Sequence, residues 1–161
     1  METKVLIVMG SRSDLPSMEG CMKQLDDFGV GYEVRVLSAH RTPNEVIALS
    51  ASARDRGIQV IIAAAGGAAH LAGVLASSTP LPVIGIPIQT SALGGMDSLL
   101  STVQMPQGVP VATVAIGKAG ARNAAILAVQ MMGLGNPEYL DKIAEFKKEQ
   151  AEKVLAQSVV E

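Results

Sequence analysis

Two rhythms divide the apolar positions of the chain. Lys4 to Met9 (KVLIVM) is a continuous apolar run, the pattern of a parallel strand covered on both faces. Further strands are expected at about Gly31 to Leu37, Gln59 to Ala65, Leu81 to Pro87 (LPVIGIP) and Val109 to Ile116. Between them the spacing changes to three and four residues, which predicts helices. Met18, Cys21, Met22 and Leu25 line one face of a helix that starts at Ser13 or Asp14 and runs to about Phe28. Pro43 to about Arg56 carries Val46, Ile47, Leu49, Ser50 and Ala53 inward. A glycine loop, Gly66 to Gly73, enters a small-residue helix ending near Ser78; shorter and longer helices follow at Met96 to about Val103 and Lys118 to Met132. Asn136-Pro137-Glu138 caps a last helix whose stripe is Tyr139, Leu140, Ile143, Phe146, Gln150, Val154 and Leu155.

Five strands alternating with helices imply a doubly wound, flavodoxin-like three-layer α/β/α fold with a five-stranded parallel sheet. One domain over residues 1–161 accommodates it. The extra C-terminal helix has no strand to return to. The pattern leaves open whether it closes its own sheet or packs on a neighbouring subunit.

Composition narrows the function classes. Hydrophobic residues make up 48% and charged residues 17%, which points to surface buried between subunits. A net charge of −2 and 2% aromatics with no Trp argue against a nucleic-acid partner. No charged residue lies between Arg56 and Asp97, yet Gly66, Gly67, His70 and Gly73 interrupt the apolar stretch and prolines follow it, so buried elements fit better than a membrane span. The single Cys21 reads as a core residue in a reducing cytoplasm, and no basic and apolar leader opens the sequence. Two histidines and one cysteine without ligand spacing do not suggest a metal site.

The candidate chemistry sits on three predicted loops at the carboxyl edge of the sheet, where open α/β sheets bind ligands. The first is Gly10-Ser11-Arg12-Ser13-Asp14, whose position at a helix start suits an anion and whose carboxylate can accept from ribose hydroxyls. It is neither a Walker A loop nor a dinucleotide fingerprint. The second is Ser38-Ala39-His40-Arg41-Thr42-Pro43, in which Thr42 and Glu45 read as a capping box and Arg41 can hold a phosphate. The third, Gly66-Gly67-Ala68-Ala69-His70-Leu71, has small residues that let a main chain approach a flat or very small ligand. Together they imply a sugar-phosphate ligand with a titratable group near its reactive end.

The stretches MGSRSDLP (Met9 to Pro16), SAHRTP (Ser38 to Pro43), AAAGGAAHLAG (Ala63 to Gly73) and MDSLLSTVQMPQGVPVATVAIGKAGARNAA (Met96 to Ala125) resemble, in order, the PurE family of purine biosynthesis, the bacterial 5-(carboxyamino)imidazole ribonucleotide mutases. The resemblance implies a cytoplasmic homo-octamer, with the last helix reaching onto a neighbour. It implies conversion of 5-(carboxyamino)imidazole ribonucleotide to 5-amino-4-carboxyimidazole ribonucleotide without ATP, biotin, metal or other cofactor. It also implies a hand-off of this small-molecule ribonucleotide from the upstream ATP-dependent synthetase. By motif position His40 is the general acid/base, Ser11, Ser13, Asp14, Ser38 and Arg41 bind ribose phosphate, and Gly66, Gly67, Ala68, Ala69, His70 and Leu71 line the pocket for imidazole and carbon dioxide.

Two positions depart from the family pattern, Ala64 for glycine and Ala72 for proline; the second frees φ and restores an N–H beside the loop. The chemistry fits the composition. A carbamate protonated on nitrogen releases carbon dioxide, and a small uncharged pocket keeps it beside the ring carbon. One imidazole can give and later take the proton. The alternatives are an aminoimidazole ribonucleotide carboxylase using free carbon dioxide, a non-catalytic nucleotide-binding protein, and a flavin carrier, for which Tyr32, Tyr139, Phe28 and Phe146 lie on no predicted site loop.

Overall fold

The computed structural model describes residues 2–159. Five parallel strands, β1 (Thr3–Met9), β2 (Gly31–Val36), β3 (Val60–Ala65), β4 (Val83–Pro87) and β5 (Ala112–Thr113), lie in the order β2-β1-β3-β4-β5. This is the flavodoxin-like order. The helices are α1 (Leu15–Asp27), α2 (Pro43–Ala53), α3 (Leu71–Ala76), α4 (Met96–Val103), α5 (Lys118–Gly133) and α6 (Pro137–Leu155).

The pleat divides the apolar runs between two cores. Val5, Ile7 and Met9 join Val60, Ile62 and Ala64 under α1 and α5, with Met18, Cys21, Leu25, Ala121, Ala125 and Val129. Leu6 and Val8 join Ile61 and Ala63 on the other face, under α2 and α3, with Val46, Ala53, Leu71 and Leu75. Both faces of β1 are therefore dry. Burial pushes the Cys21 thiol up to about 12, as suits an inert core residue. Ala64 is fully buried, and its carbonyl accepts from the Gly10 N–H at 2.9 Å.

Several sequence expectations are corrected. Strand five is two residues rather than Val109 to Ile116: Pro110 offers no N–H, and only Ile84↔Ala112 and Gly85↔Thr113 pair before the chain continues irregularly along β4. Helix α2 stops at Ala53, where a tight turn over residues 54–57 begins, closed by Gly57 at φ +84. Its Ile47 faces outward, 45% exposed, while Val46, Ser50 and Ala53 are buried. Thr42 precedes α2 without capping it, because its hydroxyl bonds backward to the main chain of Ser38.

Helix α6 packs on its own subunit through its first half alone: Ile143 is buried, Phe146 meets Phe28 edge-on at 5.4 Å, and Lys142 donates to the Phe28 carbonyl at 2.7 Å. Its second half stands clear, with Gln150 exposed, Val154 70% exposed and Leu155 68%.

Candidate active site

The loops after β1, β2 and β3 converge at the point where strand order reverses, on either side of β1. They enclose a cleft of about 450 Å³. Its walls include Ser11, Ser13, Asp14, Ser38, His40, Arg41, Gly66, Ala68, His70 and Leu71. Gly10, Ala39 and Ala65 complete the lining; they had no sequence signal beyond their neighbours.

The first loop is shaped by its own side chains. Ser11 caps a short 3-10 turn, Arg12–Asp14, and accepts from the Ser13 N–H, while the Asp14 carboxylate accepts from the Ser11 N–H at 3.2 Å. The capping box expected at Thr42 and Glu45 is thus found here instead. Helix α1 begins at Leu15, with Asp14 ahead of it but making no side-chain cap. Asp14 is 9% exposed. Burial pushes its carboxyl above the ordinary range, opposed by the hydrogen bonds from the Ser11 N–H and the Ser13 side chain.

The second loop is closed by Thr42. The Ser38 N–H donates to its hydroxyl at 2.9 Å, and the Arg41 N–H donates to the Ser38 hydroxyl at 3.2 Å. Arg41 Nη2 reaches across to the Gly10 carbonyl at 3.3 Å, tying the second loop to the first. The guanidinium therefore lines the same cleft as the Ser11 and Ser13 hydroxyls, which lie 2.8 Å apart.

His40 and His70, from different loops, meet in the cleft wall. Their Nε2 and Nδ1 atoms are 2.8 Å apart and the rings cross at 82°. A hydrogen bond between two imidazole nitrogens needs a proton on one and a lone pair on the other. The sequence placed both histidines on the same sheet edge but held no sign that they touch. Beside them, Ala65, Gly66, Ala68 and Leu71 give the cleft a small uncharged end.

Gly67 and Ala69, expected in the pocket wall, do not line it. Their N–H groups point the other way, donating at 2.9 Å to the hydroxyls of Ser98 and Ser101 on α4. Ser98, Ser101 and Thr102 went unassigned in the sequence, although their spacing puts them on one helix face. Ala72 is the second residue of α3, a position where proline's missing N–H costs no helix bond. Its methyl is buried, and a side chain on Gly85 would come within 3.3 Å of it.

Comparison with known proteins gives the family and agrees with the fold. A family model described as AIR carboxylase matches residues 4–153. The N5-carboxyaminoimidazole ribonucleotide mutase of Vibrio cholerae is 54% identical over 149 residues, 92% of each chain. That of Vibrio parahaemolyticus is 56% identical over 153 residues, 95% of each chain. The crystal structure of Treponema denticola PurE superposes with a TM-score of 0.85 at 28% identity, covering 96% of this chain and 95% of its own.

Proposed function

The chain belongs to the AIR carboxylase family, and from that premise we propose that its cleft isomerises N5-carboxyaminoimidazole ribonucleotide with His40 moving the proton. It is a mutase of purine biosynthesis, like the relatives it matches over most of its length. The observation that carries the reading is the His40–His70 contact of 2.8 Å in the wall of a cleft that also holds Ser11, Ser13, Asp14 and Arg41.

In this reading Arg41, Ser11 and Ser13 take the phosphate, Ser38 shapes their loop, and Asp14 accepts from the ribose hydroxyls. The imidazole ring then lies toward Gly66, Ala68 and Leu71. His40 gives a proton to the carbamate nitrogen, the N–C bond breaks, and carbon dioxide is released into the small-residue end. The electron-rich ring carbon attacks it, forming the new C–C bond. The proton on that carbon returns to His40, so the residue ends as it began. His70 accompanies each transfer by exchanging donor and acceptor roles with its partner ring. Confinement matters because free carbon dioxide would otherwise diffuse away.

The whole chain acts as one domain, in the cytoplasm, as a homo-octamer fed by the ATP-dependent synthetase that makes its unstable substrate. The exposed Met96, Leu100 and Val103 of α4 and Val154 and Leu155 of α6 support burial between subunits. Among the described residues no helix is long and apolar enough to cross a membrane.

The test is turnover of N5-carboxyaminoimidazole ribonucleotide by pure protein without added bicarbonate, ATP or metal. Formation of the 4-carboxy isomer supports the reading. Activity only with aminoimidazole ribonucleotide and high carbon dioxide would replace it with a carboxylase. Light scattering at an octamer's mass tests the assembly.

A further inference from the structure

Helix α4 does not line the cleft, yet it holds the loop that does. Ser98 is fully buried and takes the Gly67 N–H on its hydroxyl at 2.9 Å. Ser101 takes the Ala69 N–H at 2.9 Å, and its own proton has the carbonyls of Gly67 and Asp97 within 3.0 and 2.6 Å. At the next residue, the Thr102 hydroxyl reaches the Ala69 carbonyl at 3.5 Å. The same residue seats the helix: a Cβ on Gly85 of β4 would fall 2.5 Å from the Thr102 Cγ2. A Cβ on Gly95, which precedes α4 at φ +97, would fall 2.7 Å from an Ile116 side-chain carbon.

The loop alternates as a result. The Gly67 and Ala69 N–H groups turn to α4, whereas Gly66 and Ala68 face the cleft. Among the described residues, no protein acceptor meets the Gly66 or Ala68 N–H. His70 follows directly and reaches His40. Wall and imidazole partner therefore depend on hydroxyls about thirty residues away.

We propose that Ser98 and Ser101 are positioning residues for the carboxy transfer, and this rests on the mutase reading. They hold the loop in the register that closes Gly66 and Ala68 around carbon dioxide and sets His70 against His40. A wall that retains a small neutral molecule between two steps acts on retention and proton transfer. The ribose phosphate is gripped from the other two loops, so its binding is independent of α4.

The experiment follows N5-carboxyaminoimidazole ribonucleotide with Ser101→Ala, Ser98→Ala and Ser101→Thr, measuring both the 4-carboxy isomer and the decarboxylated amine above the enzyme-free rate. Ser101→Ala is expected to lower kcat by about tenfold to a hundredfold and leave KM within about threefold. The fraction leaving as amine should rise, because carbon dioxide escapes before recapture. Ser101→Thr keeps the oxygen and should recover most of kcat. A merely structural role would not move the amine fraction. Unchanged kcat and unchanged amine fraction in Ser101→Ala overturn the proposal. If that variant loses its fold by circular dichroism, Ser98→Ala decides by the same fraction; loss of fold in both makes the hydroxyls structural and also overturns it. Wild-type protein that produces no isomer fails the mutase reading instead, a separate outcome.

Discussion

The loops after β1 and after β3 face each other across one cleft and are built in opposite ways. Residues 10–14 close on themselves: Ser11 and Asp14 satisfy each other's neighbourhood within four positions. Residues 66–70 have two tight turns of their own, Ala69 to Gly67 and His70 to Ala68, and Gly67 and Ala69 are tied to side chains of α4. The first uses side chains that also line the cleft. The second uses side chains that do not. A loop of glycine and alanine can come very close to a reacting atom, but it has no side chains with which to hold itself, so rigidity must be supplied from elsewhere.

The largest effect separates chemistry from both loops. His40→Asn should lower kcat by about a hundredfold to ten-thousandfold while nucleotide binding by calorimetry and the fold persist. Near-normal turnover would remove His40 as the proton carrier and give the transfer to another group.

Gly85→Ala probes the remote support. Its new methyl meets Thr102 at 2.5 Å and Val111 at 2.9 Å, so the packing of α4 on β4 must give. Overpacking of this kind costs about 1–3 kcal/mol in thermal or urea unfolding. Turnover should fall with it, because the 66–70 loop moves with α4. A variant that loses stability but keeps full kcat would show that the loop stands alone.

Asp14→Asn probes the self-built loop. Burial raises the folded carboxyl above its ordinary value, so the neutral form is the one the fold prefers. The stabilisation is complete below the ordinary carboxylate range and is lost as pH rises through the raised folded value. At neutral pH the ionised group is a cost, and an amide oxygen can still accept from Ser11. The variant should therefore keep or raise its Tm at pH 7 and flatten the pH dependence of stability just above the ordinary carboxylate range. KM should rise by about tenfold, as for one lost charge-assisted contact. A fall in Tm with unchanged KM would assign Asp14 to structure alone.

Ser11→Ala has the smallest expected effect. Losing this cap should cost about 1 kcal/mol, with faster amide exchange confined to residues 11–14. Faster exchange at Gly67 or Ala69 as well would mean the two loops are coupled, against the contrast drawn between them.

Much of this was legible along the chain. The continuous apolar run KVLIVM marks a strand dry on both faces, and the alternation of strands with three-and-four spacing marks a doubly wound sheet. That topology sends Ser11, Asp14, His40, Arg41 and His70 to one edge. Local motifs were less certain guides. Thr42 and Glu45 match a capping box, but Thr42 spends its hydroxyl on Ser38, while Ser11 and Asp14 form the box at a turn the pattern did not show.

Sequence by itself determined which stretches form strands and helices and which residues follow the strands at the carboxyl edge of the sheet, because periodic burial and strand polarity are short-range properties written residue by residue. Only the tertiary structure decided which way that edge's backbone faces. Gly67 meets Ser98 thirty-one positions on, and His40 meets His70 thirty positions on. Such bonds need two elements docked to within a fraction of an ångström. That docking comes from packing at sites such as Gly85 against Thr102, which no local pattern of apolar and polar residues records.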